Sequence, residues 1–174
     1  MKLHKLWSIR KSQKGFTIVE IIAVLAITGL IGVGAAIATV QVADQGTRNR
    51  DHTTASRHAM NSIYWISRDT QMAQVVELNG VSGFPINMSW VEWDNSTHQV
   101  VYSIDGDKLR RSYSRNGSEP SETVIAQYID QFSENTSCEV TGGVITLKVT
   151  ATVGDGSRTV SVTKVREICP RPGL

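Results

Sequence analysis

The chain has 174 residues, 40% of them hydrophobic and 20% charged, with 18 Lys+Arg against 16 Asp+Glu and a formal charge of +2. About one domain's length at that balance excludes a disordered chain, a polytopic membrane protein and a strongly basic nucleic-acid binder. Two cysteines are too few for a disulfide-dense mini-protein or a four-thiolate zinc site.

Residues 1–15 form a basic leader, in which Lys2, Lys5, Arg10, Lys11 and Lys14 are all positive and no acid precedes Glu20. Residues 16–43 then read FTIVEIIAVLAITGLIGVGAAIATVQVA, 28 residues with Glu20 as their one charge. A bilayer core takes about 20 apolar residues as a helix, so this segment is expected to span it with the cationic flank cytoplasmic. A carboxylate at mid-bilayer costs roughly 2.5–3.5 kcal/mol, and less near the interface. Glu20 is therefore a candidate functional residue in need of a partner; the plainer alternative puts it at the headgroup boundary. Gly32/Ala36 and Gly34/Ala38 are small-xxx-small pairs, suited to close helix approach in lipid.

Residues 44–78 are expected to continue the helix as an amphipathic stretch ending near Val76, with a bend at Gly46. Ala55, Ala59, Ile63, Ile66, Thr70 and Ala73 recur at three- and four-residue steps, a stripe for packing on a sheet, with Arg57, Arg68 and Asp69 as polar positions among them. Started near Phe16, such a helix is roughly 90 Å long. Asn79-Gly80-Val81-Ser82-Gly83 reads as a turn, and residues 79–174 as an antiparallel β head. Its strands are Met88–Trp93, Gln99–Ile104, Lys108–Ser114, Val144–Val153 and Thr159–Val165, with hairpin turns at Asp105-Gly106 and Gly154-Asp155-Gly156. Thr123–Phe132 is either a strand or a short helix. The expected fold class is α+β: a long N-terminal helix, its first half membrane-embedded, packed on a C-terminal antiparallel β-sheet that Trp90 and Trp93 help to build.

Lys14-Gly15-Phe16-Thr17-Ile18-Val19-Glu20, with the basic leader before it and the apolar run after it, resembles the class III signal of type IV prepilins and type II secretion pseudopilins. The resemblance implies a pilin-like fold. It also implies that a prepilin peptidase removes the leader after Gly15 and methylates the new N-terminal amine on Phe16. Glu20 would then be the fifth residue of the mature chain, pairing with the amine of a neighbouring subunit during assembly. The implied partners are other pilin or pseudopilin subunits, an inner-membrane assembly platform and membrane lipid. The implied route runs from a single-pass cytoplasmic-membrane precursor to an extracytoplasmic filament. An ordinary signal-peptidase site at Ala36-Ile37-Ala38 and an uncleaved signal anchor remain as alternatives, though neither accounts for Gly15 and Glu20 at their spacing.

Many major type IV pilins carry a proline a few residues after the glycine matched by Gly29; here Ile37 occupies that region. The departure favours a minor pilin or pseudopilin over a major pilin. Met60–Ala73 followed by Val101–Arg111 is similar to the PilW and type II secretion J-pseudopilin group of minor subunits. In that group a helix ending near an Arg-Asp pair, here Arg68-Asp69, precedes a hairpin with a Leu-x-Arg strand, here Leu109-Arg110-Arg111.

Cys138 and Cys169 lie outside the membrane in this topology, where an oxidising compartment makes a disulfide between them reasonable; two separate buried thiols are the alternative. No P-loop, dinucleotide fingerprint, His-Glu-x-x-His or Gly-x-Ser-x-Gly pattern occurs, so neither an enzyme nor a cofactor nor a metal site is expected. Lys108, Arg110, Arg111 and Arg115, with Tyr113, form the one basic cluster of the exported part. Strand alternation divides its charge between two faces, so a solvated edge strand is expected and nucleic acid is not expected as a partner. A membrane-anchored adhesive or DNA-binding module of a DNA-uptake machine is the alternative in a different functional class. Without the leader the chain keeps 13 basic residues against 16 acidic, a balance of −3, so the slight basicity belongs to the precursor.

Overall fold

The computed structural model describes residues 15–170, so the leader before Gly15 lies outside the described residues. The chain divides into two compact units, one up to Gln45 and one from Gly46. Helix α1, Ile18–Met72, begins in the first and ends in the second.

In the first unit every described residue is exposed. The helix is long and apolar enough to cross a membrane, and none of its most apolar window is buried within the chain. The two helical hydroxyls of this unit are satisfied inside the helix, Thr28 Oγ1 donating to Val24 O at 2.7 Å and Thr39 Oγ1 to Ala35 O at 2.9 Å. Such side chains leave no unpaired polar group toward lipid.

The second unit is built from the rest of α1 and eight antiparallel strands. Strands β1 (Val75–Leu78), β2 (Ile86–Val91), β3 (Thr97–Asp105), β4 (Lys108–Arg115) and β5 (Ser121–Ala126) form one five-stranded meander in chain order. Strands β6 (Ser137–Thr141), β7 (Val144–Val153) and β8 (Val160–Ile168) form a second, three-stranded meander. An isolated bridge from Ile129 to Ala151 ties the segment after β5 to β7, and Cys138 N–H donates to Ser82 O at 2.8 Å. These contacts bring the smaller sheet against the larger one.

The helical stripe Ala55, Ala59, Ile63, Ile66, Thr70 and Ala73 is buried. It packs with Ile86, Met88, Val100, Tyr102 and Leu109 of the large sheet in one core that extends to Ile145, Leu147 and Val149 of β7. Alanines at 55 and 59 let the helix approach the sheet closely; Asn61 Nδ2 fixes its position by donating to Ile125 O at 2.6 Å.

Several boundaries differ from the sequence reading. The helix stops at Met72 rather than near Val76, because Val75 and Val76 pair with Ser89 and Met88 as strand β1; β-branched residues gain more on a pleated surface than in a last helical turn. Gly46 is helical. There are two sheets rather than one, and the ambiguous segment resolves into β5 up to Ala126, followed by Tyr128 at φ 63°. Strand β6 was missed, although its turn is legible: Gly142 and Gly143 take φ 60° and 81°, the pair of positive angles that a two-residue hairpin needs. Strand β4, expected at a sheet edge, lies between β3 and β5. Trp93, expected to help build the head with Trp90, falls beyond β2 and is 95% exposed, whereas Trp90 is buried.

Candidate functional site

The first candidate site is the start of the helix. Gly15, Phe16 and Thr17 precede α1, and Glu20 N–H donates to Thr17 Oγ1 at 3.3 Å, while Ile21 N–H makes the first helical bond to Thr17 O at 3.2 Å. Thr17 is thus the N-cap and Glu20 the third helical residue, the T-x-x-E spacing of a capping box. That signal is present in the sequence, where Glu20 was read for its charge and its assembly role and not as part of a cap. Its carboxylate also sits in the first turn, where the helix dipole favours a negative group.

Gly15, by contrast, is not held to glycine by anything among the described residues. A Cβ added there meets no atom within 4 Å, and its backbone is not in the left-handed region. Phe16 is 78% exposed. Residues 15, 16 and 20 are all exposed, and of the three Glu20 takes part in the start of the helix.

A second constellation lies in the head and was missed as a site. Asp69, read as a polar helix position, is buried at 0% exposure. Its Oδ2 accepts from the Tyr102 hydroxyl at 2.6 Å and from Arg111 Nε at 2.7 Å, while its buried Oδ1 has no hydrogen-bond partner in the protein. Burial, then the Asp69 carboxylate, pushes the Tyr102 phenol far up, so it remains a donor. Burial disfavours the Arg111 charge, but Asp69 outweighs it and holds the guanidinium above its ordinary value. Arg111 also lies 5.5 Å from the Trp65 ring centroid and 5.1 Å from that of Tyr113. The arrangement ties the helix to β3 and β4.

The three arginines of the basic cluster are all engaged in ion pairs, Arg111 with Asp69 as above. Arg110 meets Asp105 at 3.1 Å and Glu122 at 3.7 Å, and Arg115 meets Asp94 at 3.0 Å. Among the described residues no group of three or more His, Cys, Asp or Glu side chains could hold a metal ion.

The expected Cys138–Cys169 disulfide requires correction, since both thiols are free, Cys138 buried and Cys169 exposed. Cys138 pairs with Leu147, which pairs with Arg166, so the two cysteines are separated by β7. Two strand spacings come to about 10 Å, beyond the roughly 7 Å that a disulfide can bridge. Burial, aided by the neighbouring Glu139 charge, pushes the Cys138 thiol up to about 12. At neutral pH a thiol reagent is therefore expected to modify Cys169 alone in the native full-length chain, and both cysteines after denaturation. Prior protection of both would restore the bridge.

Among known proteins, residues 10–36 match the family model described as the prokaryotic N-terminal methylation motif, a span that holds Gly15, Phe16 and Glu20. No curated protein and no solved structure matches the chain. The matched motif, followed by one long apolar helix packed on antiparallel sheets, supports a type IV pilin- or pseudopilin-like protein.

Proposed function

We propose that the chain is a minor pilin or pseudopilin, a structural subunit cut by prepilin peptidase after Gly15, methylated on Phe16 and assembled through its apolar helix. The observation that carries this reading is the methylation-motif match over residues 10–36. Two features support it. A Cβ at Gly15 would meet no described atom within 4 Å, so the described residues leave its identity open to a role in peptidase recognition. The helix leaves its apolar side chains uncovered, among them Leu25 at 66% and Leu30 at 75% exposure, and so requires lipid or neighbouring helices around it.

In this reading the subunit enters the cytoplasmic membrane as a single-pass precursor and leaves it as part of an extracytoplasmic filament, with the assembly platform and other subunits as partners. The proline-free apolar segment favours the minor class. The Asp69–Arg111 pair joins the two motifs, Arg68-Asp69 and Leu109-Arg110-Arg111, on which the likeness to the PilW and J-pseudopilin group rests.

Mass spectrometry of the N-terminus, on protein purified from membranes, tests the processing step. The expected product starts at Phe16 and carries one added methyl group; an intact leader, or a start after Ala38, would overturn it. Glu20→Ala is expected to be processed normally yet fail to enter filaments. Glu20→Gln keeps a polar side chain in the capping position and removes the charge, so it isolates the proposed pairing from helix capping. Normal incorporation of Glu20→Gln would refute the pairing.

A further inference from the structure

The head covers its tryptophan faces with cations or rings, with one exception among the described residues. Arg68 and Arg111 lie 5.4 and 5.5 Å from the Trp65 centroid, and Trp90 stacks on His98 at 5.2 Å with the rings 2° from parallel. Trp93 is 95% exposed, an indole held in water where burial would be favourable.

The turn that presents it is well fixed. Asn95 N–H donates to Glu92 O and Glu92 N–H to Ser96 O, both at 3.0 Å. Asp94 Oδ1 accepts from Ser96 N–H at 2.9 Å and from its hydroxyl at 2.6 Å, while Asp94 Oδ2 pairs with Arg115. The Ser96 hydrogen bonds, ahead of the Arg115 charge, hold the Asp94 carboxyl below the usual carboxylate range, so the anchor stays ionised at neutral pH. With the Ser96 proton committed to Asp94, Ser96 Oγ accepts from His98 Nε2–H at 3.0 Å. His98 Nδ1 is then left to accept from the Tyr113 hydroxyl at 2.7 Å. The turn is thereby tied to β4 at Tyr113 and Arg115.

Beside Trp93 opens a groove of about 740 Å³, with Met72, Trp90 and Val91 on its apolar side and Gln71, Gln74 and Glu92 on its polar side. Glu92 is the one charged residue in its wall; its side chain is 47% exposed, with Oε1 3.6 Å from His98 Nε2 and its outer part open to the groove. The Gln74 amide oxygen is already engaged by Val91 N–H at 3.2 Å. An acid beside an uncovered indole is complementary to a cation, since the ring face and the carboxylate attract the same charge.

We propose that this groove binds an arginine- or lysine-bearing segment of a partner protein, the cation lying on the Trp93 indole against Glu92 and an adjacent apolar side chain resting on Met72 and Val91. The inference is independent of the processing reading above. It is tested on the full-length chain, labelled with 15N at its tryptophan indoles, in zwitterionic micelles. The probes are a blocked leucine-arginine-leucine peptide, its citrulline counterpart and methyl β-glucoside.

The arginine peptide is expected to shift the Trp93 indole signal saturably, and the neutral citrulline peptide to bind about fivefold more weakly. Glu92→Gln is expected to weaken the arginine peptide about two- to fivefold. Trp93→Ala, at a site where folding needs no indole, is expected to abolish peptide binding as read from the peptide's own spectrum. A silent arginine peptide, equal binding of the citrulline peptide, or a shift produced by the glucoside in its place would each overturn the proposal.

Discussion

Asp69→Ala is expected to lower the unfolding free energy of the head by roughly 3–5 kcal/mol, because removing one member of a buried ion pair strands the other. The stranded group is the Arg111 guanidinium, whose side chain is 17% exposed and meets Asp69 at 2.7 Å; the Tyr102 hydroxyl loses its acceptor as well. Urea unfolding of the full-length protein, followed through tryptophan fluorescence, measures the loss, with Trp65 placed against Arg111 to report it. Asp69→Asn retains an acceptor and should cost less. Replacing Asp69 and Arg111 together by leucine, with Tyr102→Phe, should restore much of the loss, since apolar substitutes for a buried pair are often neutral. A loss below about 1 kcal/mol for Asp69→Ala would put the pair with solvated surface bridges instead.

Gly83→Ala is the second large effect. Gly83 takes φ +78°, and a Cβ there would lie 2.9 Å from the carbonyl carbon of Cys138 and 3.1 Å from its Cβ, with the carbonyl oxygen nearer still. The obstruction is backbone, and Cys138 N–H is bonded to the adjacent Ser82 O, so neither strand β6 nor the β1–β2 loop can yield alone. The left-handed backbone contributes about 1–2 kcal/mol and the overlap about 1–3 kcal/mol, for roughly 2–5 kcal/mol in the same unfolding assay. Gly142 isolates the backbone part: its φ is +60° with nothing within 4 Å. Gly142→Ala should lose only about 1–2 kcal/mol, and Gly142→Asn less, since asparagine tolerates that conformation.

The helix and its buried face were legible because periodicity at 3.6 residues needs no partner to be seen. Every member of the stripe from Ala55 to Ala73 is buried, and β7 has the expected bounds. The methylation motif was legible for a different reason: it is a local pattern read by another protein. What the sequence hid was long-range. Nothing local marks Asp69 as the buried neighbour of residues 33 and 42 positions away. Nor does the spacing of Cys138 and Cys169 reveal that β7 runs between them. Short edge strands such as β1, four residues long, form because β2 is there to receive them, and such partner-dependent choices escape a reading of local propensity. Trp93 shows the converse error, where the strand was read two residues too far and Trp93 was counted with it as a builder of the head.

The cap at Thr17 has a bearing on what happens at the bond before Phe16. Thr17 Oγ1 and Thr17 O accept from the amides of Glu20 and Ile21, the third and fourth residues of the helix, and all three residues lie on the retained side of the proposed cut after Gly15. The instructions for starting the helix are thus written wholly within the product. In the proposed processing, leader removal would change the charge and chemistry of the terminus without asking the helix to re-form its first turn, so one helical start would serve both membrane precursor and subunit.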